Sequence, residues 1–369
     1  MISAELVKET AKKVGFDLVG ITSANPLSTL APLLQERQRQ GKEPEFVSSD
    51  IEDRIDPKRF FPEVKSIIMV ALNYYHNTFN GEHGECNFSR SAWGVDYHRM
   101  MRGMLEQMGQ TLKQIEPALT YKSFVDTGPL VERELARRAG LGWIGKNASL
   151  ITPEFGSWVF LGGMAINFEL EEDSPVDKDC GNCRKCIDAC PAGALEEAYC
   201  VNPSRCLSYV SQRKGYLTAE ERELLQNRLY GCDTCQEVCP INVKLAKDTT
   251  HKDLKPLNHL SMSLAEIASM DNSQFKARLA TTAAAWRGKT NLKRNAIIAL
   301  ANSGDPRMAP ILKSCLDDPS PVIRGYAAWA LGKLPGDRAE VLQVLENALA
   351  RETDARVKEE IAMVLDKLQ

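Results

Sequence analysis

The chain has 369 residues, of which 43% are hydrophobic and 26% charged, and its formal net charge is −3. This length can bury a large core and predicts two or three domains. The slightly acidic balance excludes nucleic-acid binding through total charge, so a nucleic-acid partner would need a local basic surface.

The first segment, MISAELVKETAKKVG, is predicted to be an amphipathic helix and lacks the apolar core of a signal peptide. No apolar run in the chain is long enough to span a bilayer. We therefore expect a cytoplasmic protein with no membrane association. In that reducing compartment, the eleven cysteines favour metal binding over disulfides.

Residues 1–174 alternate between helical and strand-like patterns, which predicts an α/β (or α+β) layered domain. Its strand candidates are short apolar runs, and its helix candidates carry apolar residues at helical spacing. The predicted elements are a buried strand SIIMVALNYY (66–75), a helix VDYHRMMRGMLEQMGQTLKQI (95–115), a strand YKSFVDTGPL (121–130) ending at a Thr-Gly-Pro turn, a helix VERELARRAGLG (131–142) and two strands within 148–166. No G-x-G-x-x-G indicates a nicotinamide or flavin site.

Residues 175–247 hold nearly all the cysteines, in two runs, CGNCRKCIDACP and CDTCQEVCP. The first run has the spacing of a bacterial [4Fe–4S] ferredoxin, in which the fourth cysteine ligates the other cluster. This pattern predicts a ferredoxin-like domain with two [4Fe–4S] clusters. The runs supply seven thiolates, Cys180, Cys183, Cys186, Cys190, Cys232, Cys235 and Cys239, whereas two clusters need eight.

Zinc is the main alternative, because C-x2-C pairs also build zinc ribbons. Zinc explains neither a third cysteine at the same spacing nor the Cys-Pro that ends both runs. In the crossed arrangement, Cys239 completes the cluster of Cys180, Cys183 and Cys186. The second cluster, with Cys190, Cys232 and Cys235, then has one open position. Cys200 and Cys206 both lie between the runs, and spacing alone does not choose between them.

Residues 260–369 are predicted to be helical, with a weak internal repeat. LKRNAIIALA (292–301) and VIRGYAAWALG (322–332) align at a shift of 31 residues, and VKEEIAMVLDKL (357–368) is a more degenerate copy. Paired helices at such a period predict HEAT- or armadillo-like repeats, with an unrelated helical bundle as the alternative. A cluster domain between an α/β domain and these repeats suggests that electrons are delivered internally.

Five segments together resemble the epoxyqueuosine reductases, and the resemblance extends over essentially the whole chain. The cluster runs alone would be shared with many ferredoxin-like proteins, including the reductive dehalogenases. The five segments are SRSAWGVDYH (89–98), VDTGPLVERELARRAGLGWIGKN (125–147), CGNCRKCIDACPAGAL (180–195), RLYGCDTCQEVCP (228–240) and WRGKTNLKRNAIIAL (286–300).

The resemblance implies a cobalamin-binding catalytic domain over 1–174, a domain with two [4Fe–4S] clusters over 175–247 and a HEAT-like domain over 260–369. It implies an oxidoreductase that reduces the epoxide of epoxyqueuosine at the tRNA wobble position, the last step of queuosine biosynthesis. The electrons would pass from the clusters through base-off cobalamin in its cob(I)alamin form. The implied partners of this expected monomer are an anticodon stem-loop bearing epoxyqueuosine and an unidentified electron donor.

The resemblance also implies roles for single residues. The segment Arg205-Cys206-Leu207-Ser208 matches the family's extra ligand segment, so Cys206 becomes the eighth ligand and Cys200 a bystander. Asp126 would be the proton donor, which requires that burial raise its pKa. The alternative is that Asp126 only caps the following turn and helix. The implied cobalamin contacts are Arg54, Ser89, Asp126 and Leu150.

Three of these cobalamin contacts have a plainer alternative. Arg54 could instead pair with Glu52 or Asp53, and Ser89 and Leu150 could be packing residues. The motif Asp96-Tyr97-His98 receives no role, because a lone histidine in such a motif is more often structural.

Basic residues beside the implied site and at the start of the repeats are candidates for tRNA contact, with Trp286 either stacking or packing. They are Arg133, Lys214, Arg287, Lys289, Lys293 and Arg294. Two other functions stay open: a dehalogenase-like reductase of a small molecule, and a non-catalytic electron-transfer subunit. The added basic helical region argues against the first, and cobalamin binding would exclude the second.

Overall fold

The computed structural model describes residues 2–77 and 86–368. The α-helices are α1 (Ala4–Val14), α2 (Ala31–Arg39), α3 (Ile51–Ile55), α4 (Pro57–Phe60), α5 (Tyr97–Ile115), α6 (Glu132–Arg138), α7 (Lys185–Asp188), α8 (Leu207–Gln212), α9 (Ala219–Leu225), α10 (Thr234–Glu237), α11 (Pro240–Leu245), α12 (Leu264–Ser269), α13 (Asn272–Arg278), α14 (Lys289–Ser303), α15 (Ala309–Cys315), α16 (Pro321–Lys333), α17 (Arg338–Arg351) and α18 (Ala355–Leu368). The strands are β1 (Leu18–Ser23), β2 (Ser66–Asn73), β3 (Asn87–Phe88), β4 (Tyr121–Phe124), β5 (Trp143–Ile144), β6 (Leu150–Ile151), β7 (Val159–Ile166) and β8 (Arg228–Tyr230).

Contacts divide the chain into two compact units that do not follow chain order. Unit 1 comprises residues 2–77, 96–206 and 234–255, and unit 2 comprises residues 86–95, 207–233 and 256–368. This division differs from the three consecutive domains expected from the sequence, which remain a prediction. In the described part of the chain, no helix is both long and apolar enough to cross a membrane.

Unit 1 is built on a four-stranded antiparallel sheet in the order β1-β2-β7-β4. β2 is central and its eight residues are all buried, which explains the uninterrupted apolar run in its sequence. Alternate side chains of β2 face opposite sides of the sheet. Ile68 packs into a core with the apolar faces of α1 and α5, and Met69 packs into a second core with α6 and α2.

Helix α5 brings one end of the site into place. Its buried residues Met101, Leu105, Met108 and Leu112 recur at helical spacing and seat the helix on the sheet. Asp96 is its N-cap, and the Asp96 side chain accepts a hydrogen bond from the backbone N–H of His98. The first turn of α5, with Tyr97 and His98, is therefore fixed at one edge of unit 1.

The helical part of unit 2 confirms the predicted repeat. α14, α16 and α18 are the successive copies, and α15 and α17 alternate with them. Ala296 and Ala327, which the 31-residue shift superposes, are both fully buried, and Leu300 and Leu331 are 1% exposed. Each repeat thus buries its apolar face against its neighbours, as in HEAT-type stacking.

Candidate active site

The turn that follows β4 presents Asp126. The strand ends at Phe124, and the Thr127 N–H then donates to the carbonyl of Val125, two residues earlier. This γ-turn-like arrangement holds Asp126 at φ 55°, in the left-handed region that a residue with a Cβ rarely adopts. The side chain of Asp126 projects from the turn with 63% of its surface exposed. We call residues 125–127 the Asp126 turn.

The first turn of α5 supplies two hydrogen-bond donors to the Asp126 carboxylate. Tyr97 donates from its hydroxyl to Oδ2 at 3.0 Å, and His98 Nε2 lies 3.2 Å from the same oxygen. The other ring nitrogen of His98 lies 2.6 Å from Asp96 Oδ1. Tyr97 is held in place because its ring stacks on Phe160 of β7, with centroids 3.8 Å apart.

The charges at this site follow from that geometry. Burial alone would lower the pKa of His98, but the hydrogen bonds and charges of Asp126 and Asp96 outweigh it and raise the pKa to about 9. Burial would raise the pKa of Asp126, yet the hydrogen bond and charge of His98 outweigh it, so this pKa is lowered. At neutral pH the pair is therefore an imidazolium between carboxylates, with its mobile proton on His98.

This finding corrects the sequence-based expectation for Asp126. The pKa of Asp126 is lowered and not raised, because the hydrogen bond and charge of His98 outweigh the effect of burial. Asp126 does not cap the following helix either: α6 begins at Glu132, and its N-cap is Val131, without a side-chain cap. Sequence reasoning missed His98, and the signal that could have found it was the Asp-Tyr-His motif itself.

A second carboxyl group adjoins the Asp126 turn from the other side. Glu132, the first residue of α6, accepts a hydrogen bond from the backbone N–H of Asp126 at 2.6 Å from its Oε1. Burial raises the pKa of Glu132 to about 8, and the charge of Asp126 adds to the rise. At neutral pH the ionised Asp126 therefore lies between two groups that hold protons, the His98 imidazolium and the Glu132 carboxyl group.

A cavity of about 480 Å³ opens beside the Asp126 turn, lined in part by Arg102, Lys122, Thr127 and Gly128. Arg102 donates a hydrogen bond to Thr127 Oγ1 at 2.6 Å. The neighbours of Asp126 on both sides line the cavity, and Arg102 and Lys122 place two cationic hydrogen-bond donors on its rim. Such a face suits a large ligand whose edge carries amide groups, as the edge of a corrin does.

The other three residues predicted to contact cobalamin are partly or fully buried and have neighbours of their own. Arg54 is mostly buried and pairs with Glu43 at 3.1 Å, so its partner is neither Glu52 nor Asp53. Leu150 is 4% exposed in β6. Ser89 belongs to unit 2, where its hydroxyl donates to Asp233 Oδ1 at 2.6 Å. These three side chains have packing or hydrogen-bonding roles of their own.

Arginines gather near Arg54. Arg37 shares the same Glu43 partner and lies 3.5 Å from the sulfur of Cys200. Arg133 is exposed as a residue, but its guanidinium reaches inward and donates to the Ala148 carbonyl at 3.2 Å. Loss of water around the guanidinium and the charges of Arg37 and Arg54 lower the pKa of Arg133. Arg37 and Arg54 share one carboxylate and their charges also act on Arg133, so this part of unit 1 is locally positive. Contact of Arg133 with tRNA stays a prediction.

Four cysteines from both runs surround one apolar cavity in unit 1. They are Cys180, Cys183, Cys186 and Cys239. Burial raises the pKa of the Cys186 thiol, and the nearby Cys180 and Cys239 raise it further. Four thiolates make up the donor set of a [4Fe–4S] cluster. These four are the cysteines that the crossed arrangement assigns to one cluster, and that assignment stays a prediction.

Lys146 joins this cavity to the β5–β6 hairpin. Its Nζ donates to the carbonyls of Gly181 at 2.6 Å and Cys183 at 3.0 Å. The glycines of the LGWIGKN segment serve this hairpin and form no phosphate loop: a Cβ on Gly142 would meet the Ile151 carbonyl at 2.1 Å. The segment therefore carries a lysine to the cysteine loop.

The remaining cysteines are divided between the units. Cys190 accepts a hydrogen bond from the Ala194 N–H at 3.2 Å, Cys206 immediately precedes α8, and Cys235 lies in α10; all three belong to unit 1. Cys232 belongs to unit 2. Among the residues that the structure describes, no three His, Cys, Asp or Glu side chains are grouped to hold a single metal ion.

Two of the predicted tRNA contacts are wrong. Arg294 is fully buried, where its guanidinium donates to the carbonyls of Arg213, Gly215 and Ser211. Lys293 is 5% exposed and pairs with Asp318. Both lie on the buried face of α14, so neither side chain can reach a nucleic acid.

Arg294 instead anchors a surface that the other predicted residues share. It fixes the loop after α8, on which Lys214 is exposed. Trp286 is 49% exposed and donates from its Nε1 to Gln212 Oε1 at 2.7 Å, at the start of the same loop. The Arg287 guanidinium lies 4.0 Å from the centre of the Trp286 ring. We call Lys214, Trp286, Arg287 and the partly exposed Lys289 the Trp286 surface.

Comparison with known proteins identifies the family. A chain from Bacillus cereus named epoxyqueuosine reductase is 41% identical over 365 residues, which cover 97% of this chain and 95% of the relative. This chain belongs to the epoxyqueuosine reductase family. The profile "Epoxyqueuosine reductase QueG, DUF1730" matches residues 54–127. The reductase of Escherichia coli is 34% identical, with 89% of each chain covered.

Solved structures of the family have the same fold. One, of an epoxyqueuosine reductase with an epoxyqueuosine-modified tRNA-Tyr stem loop, has a TM-score of 0.94 at 40% identity and covers 99% of this chain and 98% of that one. Another, from Bacillus subtilis with its aspartate catalytic loop swung out of the active site, has a TM-score of 0.93 at 39% identity, with the same coverage.

Two further family profiles match the rest of the chain. A 4Fe-4S double cluster binding domain matches residues 179–242, and HEAT repeats match residues 279–366. This chain is therefore an oxidoreductase with two [4Fe–4S] clusters. The alternatives of a zinc site, an unrelated helical bundle and a non-catalytic electron carrier are excluded.

Proposed function

We propose that this chain reduces the epoxide of epoxyqueuosine in tRNA to the alkene of queuosine, as the last step of queuosine biosynthesis. The reaction takes up two electrons and two protons, breaks both C–O bonds and releases the oxygen as water. The observation that carries the proposal is the Asp126–His98 pair on an exposed turn, in a chain that also holds two clusters. Because tRNA is the substrate, the reaction belongs in the cytoplasm.

Asp126 is the proposed proton donor to the departing oxygen, and His98 is the group that stores the proton. The shared hydrogen bond lets the proton of the imidazolium pass to Asp126 Oδ2, from which Asp126 hands it to the departing oxygen. Tyr97 holds the same oxygen in place. Support for an aspartate in this role comes from the Bacillus subtilis relative, in which a catalytic loop is named for an aspartate.

The electrons come from the clusters. We assign Cys180, Cys183, Cys186 and Cys239 to the first cluster and Cys190, Cys206, Cys232 and Cys235 to the second. Cobalamin is the proposed cofactor at the Asp126 face, and when bound it supplies the electrons to the substrate. Asp126 would lie against it, and the donors on the cavity rim would hold its amide groups. Contacts from Arg54, Ser89 and Leu150 remain proposals.

The Trp286 surface is the proposed tRNA-binding surface of unit 2, and Arg133 that of unit 1. An exposed tryptophan between cations suits a single-stranded loop, because bases stack on the ring and phosphates pair with the charges. A small-molecule reductase would have no use for this surface. The relative solved with a modified tRNA stem loop supports the same substrate class.

An anaerobic single-turnover assay tests the proposed function. Protein with reconstituted clusters and added cobalamin is reduced and mixed with tRNA carrying epoxyqueuosine, and the released nucleosides are weighed by mass spectrometry. We expect loss of one oxygen with wild-type protein and at least about a hundredfold slower conversion with Asp126→Asn. Glu106→Gln, which makes the same carboxylate-to-amide change on α5 at a residue bonded to Tyr121, is the matched control. Intact clusters and bound cobalamin without conversion would refute the tRNA reductase function and favour a small-molecule substrate.

A further inference from the structure

The conformation of the Asp126 turn needs a support beyond its own short hydrogen bond. A residue with a Cβ at φ 55° is strained, and such strain persists only where the surroundings hold it. The segment Thr127-Gly128-Pro129 that follows is not a helix, and β4 has already ended at Phe124. The sheet and helix ladders therefore do not fix the backbone of Asp126.

Glu132 supports the Asp126 turn by binding the backbone N–H of Asp126. Its Oε1 accepts the N–H of Asp126 at 2.6 Å, six residues back along the chain. Glu132 opens α6, whose buried residues Leu135 and Ala136 pack into the core on one face of the sheet. The acceptor is thus attached to a rigid element, whereas the Asp126 turn is not.

We infer that Glu132 is a positioning residue of the reductase, which holds the Asp126 carboxylate against Tyr97 and His98 by binding the Asp126 backbone N–H. The inference rests on the proposed function of Asp126. Glu132 touches the backbone of Asp126 and not its carboxylate, so its effect is on the placement of the proton donor.

The role asks for an acceptor oxygen and not for a charge. Oε1 accepts the Asp126 N–H whether the carboxyl is ionised or protonated, and the amide oxygen of glutamine would occupy the same place. Alanine at 132 would leave the N–H without this acceptor and free the turn to relax. Glutamine should therefore rescue what alanine loses, which a role for charge would not allow.

Hydrogen exchange tests this inference without the cofactor or substrate. In holoprotein with both clusters, exchange of the peptide covering 125–131 is followed by mass spectrometry. We expect exchange about tenfold faster in Glu132→Ala and unchanged in Glu132→Gln. Glu134→Ala is the matched control, because Glu134 lies in the same helix but pairs with Arg137. Unchanged exchange in Glu132→Ala, or equal acceleration in Glu134→Ala, would overturn the inference.

Single-turnover kinetics then connect the backbone to catalysis. We expect Glu132→Ala to lower kcat about a hundredfold with KM for tRNA unchanged, because the donor is misplaced while binding is intact. In an Asp126→Asn background the same change should add less than about twofold, since both act through one group. If Glu132→Ala lowered kcat as strongly in the Asp126→Asn background as in the wild type, the inference would be overturned. If wild-type protein fails to convert epoxyqueuosine while exchange behaves as expected, the proposed function fails and the positioning of the turn stands.

Discussion

His98 bridges two carboxylates, with Nδ1 2.6 Å from Asp96 Oδ1 and Nε2 3.2 Å from Asp126 Oδ2. Asp96 is also the N-cap of α5, so one residue both begins the helix and orients the imidazole. The imidazole is therefore positioned by helix α5, and the Asp126 carboxylate by the turn after strand β4. The pair behaves as one titrating unit, which gives it a measurable pH signature.

Replacing His98 with Gln should cost stability in a pH-dependent way. The pKa of His98 is raised from 6.5 to about 9 in the folded protein, so its stabilising effect is full below pH 6.5 and is lost as the pH rises to about 9. The wild type should therefore exceed His98→Gln in Tm at pH 6, and the gap should shrink by pH 9.5. Thermal melts across this range decide it, with His76→Gln as a control. A gap independent of pH would contradict the ion pair.

Glu132→Gln should raise the melting temperature at high pH, whereas His98→Gln should lower it at low pH. The pKa of Glu132 is raised from 4.5 to about 8, so the folded protein keeps a proton that the unfolded chain has released. That contribution is present below pH 4.5 and lost as the pH rises through about 8. Glu132→Gln should thus match the wild type near pH 5 and melt at a higher temperature at pH 8.5. Equal melting at both pH values would show that Glu132 ionises normally.

Cys206 and Cys200 make a matched pair for the iron–sulfur assignment. Cys206→Ala should lose the second cluster and fall from about eight iron atoms per chain to about four. Cys200→Ala should keep both clusters, because Cys200 lies beside Arg37 and is assigned to neither. Iron analysis with electron paramagnetic resonance of the reduced protein measures both. The reverse result would exchange the roles of these two cysteines.

The Trp286 surface predicts a salt-dependent loss of tRNA binding. Lys214→Glu and Arg287→Glu should each weaken binding and reduce the dependence of affinity on salt concentration, because each removes a phosphate contact. Lys313→Glu provides a control on the same unit, at a lysine already paired with Glu340. Titrations at several salt concentrations give the slopes. Slopes unchanged from wild type would place the tRNA elsewhere.

The regular helices and strands and the iron–sulfur region could be predicted from the sequence alone. β2 is a continuous apolar run and α5 carries a clear helical stripe, so local pattern and burial agree at both. The cysteine spacing reports cluster chemistry directly, because ligand geometry constrains neighbours in the sequence.

The predictions that failed concerned residues whose contacts are distant in the sequence. His98 and Asp126 are 28 residues apart, and only the fold shows that their contact reverses the expected pKa change. Arg294 reads as one of a run of surface cations, yet its partners are carbonyls about 80 residues earlier. A charge pattern on a repeat helix does not say which face the next element will cover.

A buried ion pair sets a condition on how this chain is made. Arg222 and Glu360 form a bidentate ion pair, in which Nη1 and Nη2 of Arg222 lie 3.1 and 3.0 Å from the carboxylate oxygens of Glu360. The two side chains are 7% and 3% exposed. The residues are 138 positions apart, so at translation rates of about 5–20 residues per second Arg222 leaves the ribosome on the order of ten seconds before its partner exists. An unpaired buried charge is costly. The segment around α9 therefore stays exposed until α18 has been synthesised. A chain that ends before α18 would leave this segment accessible to proteases.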